Sequence, residues 1–323
     1  MLKLHGVVNK KFINSHAPDF QQLIQQCVDP DDIPERLYRK GRACWVFQTL
    51  ITLNYYFKDK VECSIGSQCR SDTINLMHYD DFSSRVKPWK GLTVVCRADR
   101  PPVVGADYVI EQNKNAEKNG GIFISHWPQP GLKPRIANDN EIKTLGYFGH
   151  PDGLPEDFVT DDLRQRLAKL GVTLRISSND WTDYRDIDVA ISFRRKQHNI
   201  ELESKPASKL INAWIAGCAF ICDNEPAMQA VYENELDYLI AKNPDEFIDA
   251  VIRLKQHPDL YQLMIKNGKK RLEMFSREAV AIHWYHLFND IWHKRRHKRS
   301  VFLKALNFFW IRKLQRWGIT LKD

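Results

Sequence analysis

Several short stretches put charged and hydroxyl-bearing residues at spacings that suit anion chemistry. In "SKPASKLINAWIAG" two lysines four residues apart, Lys205 and Lys209, bracket Ser208 where an amphipathic helix is set to begin. A helix's first turn carries backbone N–H groups with no intrahelical acceptor and the positive end of the dipole, so two ammonium groups and a hydroxyl there suit a diphosphate. The β-type run "AFICD" then delivers Asp223, Asn224 and Glu225, and a carboxylate at a strand's end can take ribose or sugar hydroxyls. Arg194 and Arg195 follow "DVAISF", and arginine is the bidentate phosphate residue. Gly149 in "GYFGHPDG" closes another such run, where the missing side chain lets backbone approach a ligand. Each has a plainer reading: a solvated first turn for the lysines, a cap for Ser208, the next helix's first turn for Glu225, a surface pair for the arginines, a tight turn for Gly149.

Alternating elements must position these groups. From Glu141 onward an apolar β-type run, a turn and an amphipathic helix repeat, which predicts strands at 144–148, 172–176, 188–192, 219–223 and 237–241. Helices are expected at about 156–170, 207–216, 226–234, 244–256 and 258–274, with Asn243 as a cap, Pro244 in the first turn, and Asp245 and Glu246 suiting the dipole. Short strands alternating with helices of this length mean βαβ units and a parallel sheet. The first 137 residues are less regular, with strands expected at 91–97, 107–111 and 121–125. The stretch "HWPQPGLKPRIANDN", 126–140, has three prolines and no periodicity and reads as a linker. The expected organisation is an N-terminal domain 1–137, a second domain 138–275, a crossover helix 276–292 and a tail 293–323. Two such halves would bind ligand in a cleft between the carboxyl ends of their sheets.

Composition narrows the classes. At 323 residues, 43% hydrophobic and 27% charged, with nine Trp and sixteen Phe, the chain is long enough for two folded domains and is not a disordered one. The net charge of +8 is local: residues 292–323 hold ten Lys and Arg against Asp323, which leaves the first 291 residues at about −1. A neutral body without a basic stripe argues against nucleic acid as the partner. Seven cysteines form no CxxC pair, so neither a metal knuckle nor a disulfide framework is expected, and a reducing, cytoplasmic compartment is. The N-terminal stretch lacks the apolar core of a signal peptide, and the longest uncharged run, Ala43 to Phe57, is shorter than a spanning helix and holds Gln48 and Asn54. It is expected to be a buried helix.

The stretch "SKLINAWIAGCAFICDNEPA" resembles the donor-nucleotide segment of bacterial GT-B glycosyltransferases, and "GYFGHPD", "DIDVAISFR", "EQN" and "HWPQPGLKPR" extend the likeness over roughly residues 40 to 290. The resemblance implies an α/β fold of two Rossmann-like domains facing a cleft, to which the sequence of the tail adds a C-terminal basic amphipathic helix. It implies a nucleotide-sugar donor held by Gly41, Arg42, Gly149, Arg194, Lys205, Ser208, Lys209, Asn212 and Glu225. Retaining members of the wider class carry Glu-x7-Glu here; this chain has Asn212 at the second position and Ser204 or Lys205 at the first, so a retaining outcome is not implied. Inversion needs a general base near the acceptor hydroxyl, for which His126, Asp81 and Asp99 are the candidates. No metal and no cofactor is implied: "DID" at 186–188 spells Asp-x-Asp, but it opens a strand, and lysines with helix termini would neutralise the leaving diphosphate instead.

In the tail, Leu303, Leu306, Trp310, Leu314 and Trp317 form one helical face, widened by Phe302 and Phe309, with Lys304, Arg312 and Arg316 around the rest of the wheel. A basic helix with large aromatics suits an anionic membrane surface; the alternative is packing back onto the first domain. The expected protein is a metal-independent glycosyltransferase at the inner face of the membrane, acting on a surface-polysaccharide or glycolipid hydroxyl. The alternatives are a catalytically silent GT-B-like protein that binds membrane or nucleic acid through its tail, and a nucleotide-sugar epimerase.

Overall fold

A computed structural model describes residues 1–38, 40–136, 141–195, 202–294 and 300–316. The chain divides into two units, Met1–Ser125 with Val280–Asp323, and His126–Ala279.

The first unit is built on a six-stranded sheet of β1 (Leu2–Val7), β2 (Val61–Gly66), β3 (Ile74–His78), β4 (Leu92–Cys96), β5 (Tyr108–Glu111) and β6 (Ile122–Phe123), in the order β2-β1-β3-β4-β5-β6. Every pairing is parallel. Three of these strands, β1 to β3, are not among the expected ones, because polar residues interrupt their apolar runs. The fold satisfies those residues individually. Buried Asn75 donates to the carbonyls of Leu92 (3.0 Å) and Arg70 (2.9 Å) and accepts from the Arg70 amide. His5 lies 2.8 Å from Ser64 Oγ and 3.2 Å from the Gln68 carbonyl, and burial pushes it down to about 4, so it is a neutral core histidine. The run 43–57 is a buried helix, as its composition requires, opening with a π-helical turn over Ala43–Phe47 and continuing as Gln48–Phe57. Its Asn54 is buried by donating to the Ile24 carbonyl at 2.9 Å.

The second unit carries β7 (Thr144–Phe148), β8 (Thr173–Ser177), β9 (Val189–Ser192), β10 (Ala219–Cys222) and β11 (Leu239–Ile240) in the order β11-β10-β9-β7-β8, again all parallel. Its core lies in two layers. Leu145, Val189, Ile191, Ile221 and Phe247 pack one face of the sheet, and Ala190, Leu210, Trp214, Phe220 and Phe275 the other. Helices form at Asp161–Lys169, Ser208–Ala216, Pro244–Gln256 and Pro258–Phe275. Asn243 caps the third, accepting from the Glu246 amide at 2.9 Å, and Gly217 ends the second at φ +73°, the left-handed cap that glycine takes freely. The expected helix 226–234 is a single turn, Pro226–Gln229. The carboxylate of buried Asp237 takes the amides of Glu233 (2.7 Å) and Asn234 (3.2 Å), which stops helical propagation there.

The stretch after Ser125 belongs to the second unit. Lys133 N–H donates to Thr182, Arg135 N–H to Ala216 and Ile136 N–H to Arg185, so the division falls ahead of the Pro-rich stretch rather than at 137/138; positions 137–140 lie outside the described residues. The helix Arg277–Lys294 leads from the second unit into the first, where Trp284 packs on Trp45 and Tyr285 stacks on Phe57.

The tail helix Val301–Arg316 packs on the first unit, the alternative the sequence leaves open, but not through its large apolar face. Phe308 is 5% exposed, its ring 5.6 Å from Phe82 and 5.7 Å from Trp89, and Lys304 Nζ lies 2.9 Å from Asp107 Oδ1. The residues of the face expected to meet a membrane, Phe302, Leu303, Leu306, Phe309 and Trp310, remain 52–69% exposed. Trp317, the run 295–299 and the side chains of Arg312 and Arg316 lie outside the described residues. Among those described, no helix is long and apolar enough to cross a membrane.

Candidate functional site

In the second unit the chain leaves β7 for β8 on one side and then crosses to β9 on the other. Open parallel sheets bind ligands at such a reversal, in the crevice beyond the carboxyl ends of the strands. The residues that converge there are Tyr147 of β7, Gly149 and Gly153 in the loop after it, Ser192 and Arg194 at the end of β9, Lys209 in the first turn of Ser208–Ala216, and Glu225 after β10.

Glu225 is buried and holds two neighbours: Arg194 Nε donates to Oε2 at 2.6 Å and Ser192 Oγ to Oε1 at 3.3 Å. Lys209 Nζ sits 4.2 Å from the centre of the Tyr147 ring. No described carboxylate comes within ion-pair distance of it, and burial, reinforced by the Arg194 charge and opposed by Glu225, pushes it down to about 7. No side chain caps the first turn of its helix. Two cations, a helix N-terminus and a ring that stabilises an ammonium by its electron-rich face make a pocket for a multiply charged anion.

The expected donor residues divide accordingly. Gly149, Arg194, Lys209 and Glu225 come together around Tyr147. Ser208 is the first residue of the helix and makes no cap bond, and Lys205 follows the short turn Leu202–Ser204 at half exposure. Asn212 is buried, its carboxamide oxygen accepting from the Gln129 amide at 3.1 Å, and so ties the Pro-rich stretch to the helix. Tyr147 and Ser192 were not expected. Ser192 gives no local signal, whereas Tyr147 could have been found as a phenol at a strand's end with glycines two and six residues on. Of the "DID" pair, Asp188 accepts from Arg135 and from the amides of Lys143 and Thr144, and Asp186 pairs with Arg175, so both serve the fold.

The first unit reverses direction between β1 and β3, and Gly41, Arg42 and Asp81 gather there. Asp81 is buried, accepts from Arg42 Nε at 2.6 Å and lies 3.5 Å from Asn9 Nδ2. A Cβ on Gly41 would stand 2.4 Å from His78 Nε2, so glycine lets this loop close over the histidine. His78 Nδ1 accepts from the Asp80 amide at 3.2 Å, and burial lowers its pKa, which keeps it neutral. Asp99 is exposed and accepts from Gln112 at 2.7 Å. His126 falls in the second unit, not the first. Its Nδ1 faces the Trp127 carbonyl at 2.8 Å and must carry the proton, which makes Nε2 the basic nitrogen.

A family described as "Glycosyl transferase-like" matches residues 159–281, which include Arg194, Lys209 and Glu225. The sequence has no significant match among the curated proteins. Among solved structures, TarM aligns with TM-score 0.50 at 12% identity over 75% of this chain and 58% of its own. Anabaena HepE with UDP-glucose aligns at 0.49 and 10% identity over 90% and 100%. The pneumococcal O-GlcNAc transferase GtfA with UDP and GlcNAc aligns at 0.46 and 12% over 70% and 58%. The chain thus spans less than two thirds of the length of TarM and GtfA. In fold it resembles the GT-B glycosyltransferases, two parallel-sheet α/β units, and its second unit carries the match to the glycosyl transferase-like family.

Proposed function

We propose that the protein is a glycosyltransferase whose second unit binds a nucleotide-sugar. The observation that carries this reading is Lys209, a half-buried amine without a carboxylate, beside Arg194 at the sheet's reversal and inside the family match. In the reaction the acceptor hydroxyl oxygen bonds to the anomeric carbon as the bond from that carbon to the distal phosphate breaks. The electron pair leaves on the nucleoside diphosphate, and the hydroxyl proton goes to a base. Lys209, Arg194 and the helix N-terminus face the charge that develops on the leaving group, which is the term worth most in such a transfer. Glu225 has lone pairs left for ribose or sugar hydroxyls beyond those used by Ser192 and Arg194. Asp81, Asp99 and His126 are the groups able to take the proton.

The acceptor we infer is a polysaccharide or glycolipid hydroxyl at the inner membrane face. Its support is the tail, where the exposed row from Phe302 to Trp310 lies within a sequence, 292–323, of ten Lys and Arg against one Asp; apolar insertion and attraction to anionic lipid act together in such helices.

Calorimetric titration of UDP, GDP and dTDP, without added metal, tests the donor site. One nucleotide should bind at micromolar Kd, and Lys209→Ala should weaken it by about 30-fold, the worth of a charge-assisted contact. Absence of binding by all three to folded protein overturns the reading. With the donor known, the base is whichever of Asp81→Asn, Asp99→Asn and His126→Ala loses transfer by about 100-fold or more while keeping nucleotide affinity.

A further inference from the structure

We infer that the hydroxyl of Tyr147 is a donor-site group: it donates a hydrogen bond to the diphosphate of the nucleotide-sugar, while its ring holds the Lys209 ammonium against the same anion. The inference rests on the reading of this crevice as the nucleotide-sugar pocket.

Three features of the geometry lead to it. Tyr147 is 3% exposed, yet its hydroxyl makes no hydrogen bond with any described residue. Its oxygen is not one of the sealed polar atoms without a partner among the described residues, so it stays within reach of solvent or a ligand. The loop beyond β7 leaves that hydroxyl uncovered. A Cβ at Gly149 would stand 3.0 Å from Oη, and one at Gly153 2.7 Å from it. Neither glycine has a positive φ, so neither is required by the backbone, and what both provide is room beside the phenol oxygen. The surroundings are cationic. Lys209 Nζ lies over the ring at 4.2 Å, and the Arg194 charge acts on both Lys209 and the phenol. A neutral O–H among two cations, with its own neighbours trimmed to glycine, matches an anionic oxygen acceptor. Burial raises the Tyr147 pKa, which keeps the proton on the oxygen for donation.

The probes are inorganic pyrophosphate, the tightest-binding nucleoside diphosphate of UDP, GDP and dTDP, and its matching monophosphate. Tyr147→Phe keeps the ring and removes only the hydroxyl, so its Tm without ligand should equal or exceed wild type. Affinity for pyrophosphate and for the diphosphate should fall about tenfold, as for a lost bond to a charged acceptor, with the monophosphate within about twofold. Tyr147→Leu, which also removes the ring, should lose further affinity. Equal diphosphate affinity in wild type and Tyr147→Phe, with Lys209→Ala still impaired, overturns the role of the hydroxyl and leaves the donor site standing. A Tyr147→Phe protein with lowered Tm would make the hydroxyl a structural group and overturn it too. If wild type binds neither pyrophosphate nor any of the three nucleotides, the donor-site reading fails first.

Discussion

Lys209→Met should make the unliganded protein more stable while removing its affinity for nucleotide. An ordinary lysine near 10.5 pushed down to about 7 implies, at 1.36 kcal/mol per pH unit, a cost of about 5 kcal/mol for keeping the charge in place. That figure is an upper bound, since Lys209 is only partly buried and its ammonium recovers roughly 1 kcal/mol from the Tyr147 ring. A gain of about 2–3 kcal/mol in the methionine variant follows. The sign with pH is fixed by linkage. Below about pH 7 the amine is protonated in both states and the folded wild type bears the full cost. Between about 7 and 10.5 the unfolded chain holds a proton that the folded one lacks, so wild-type stability climbs with pH. The advantage of Lys209→Met is therefore largest at pH 6.5 and shrinks toward pH 10. Urea denaturation of both proteins at pH 6.5 and 9.5, without nucleotide, reads it directly. A variant less stable than wild type at both values, or a gap that does not change between them, refutes the argument that Lys209 sits in a place built for an absent anion.

The same linkage predicts that the Kd for the nucleoside diphosphate rises as pH increases from 7 to 9, by up to about tenfold per unit, and that Lys209→Arg flattens the profile; calorimetry at three pH values measures both. Gly153→Ala should cost about 1–2 kcal/mol because its methyl meets Tyr147 Oη at 2.7 Å, and that cost should largely vanish in Tyr147→Phe, where the nearest ring atom is 4.0 Å away; a thermal-unfolding double-mutant cycle decides. Phe308→Ala should detach the tail helix from Phe82 and Trp89, at a local cost of about 3 kcal/mol, and speed tryptic cleavage at Lys304. Phe302→Ser with Trp310→Ser should instead leave unfolding unchanged and weaken sedimentation with anionic phosphatidylserine vesicles.

What the sequence made legible followed from local pattern. The strand and helix alternation after Glu141 survives as five parallel strands, and the start of Pro244–Gln256 sits where Asn243 and Pro244 place it, because capping is decided by residues three apart. What it hid was decided by distant partners. Asn75 sits in a fully buried strand because Leu92, seventeen residues on, accepts its amide proton. Asn212 looked like a ligand contact until Gln129, eighty-three residues away, supplied the donor that occupies its oxygen. The docking side of the tail helix was hidden for a similar reason. A wheel plot shows Leu303, Leu306 and Trp310 as the apolar face but not the contacts that dock the helix: Asp107 fixes Lys304 and the ring pair of Phe82 and Trp89 receives Phe308, one position round the helix from Phe309.

The distribution of carboxylates argues for the site more strongly than any motif does. Arg42 has Asp81, Arg97 has Glu111, Arg135 has Asp188, Arg194 has Glu225 and Arg271 has Asp237, each an ion pair with a buried acid. Burying an unpaired charge is the costly alternative, and folded chains avoid it by pairing or by neutralising the group. Lys209 alone in this comparison has a ring where the others have an acid, and it is held near neutrality. Glu225 lies close enough to favour its charge, yet commits its oxygens to Arg194 and Ser192. With Lys209 protonated, the unliganded pocket is therefore one negative charge short, at the strand reversal where parallel sheets place their ligands. An anion that enters completes the pattern that the rest of the molecule already follows, and a diphosphate does so while presenting an acceptor to the phenol of Tyr147.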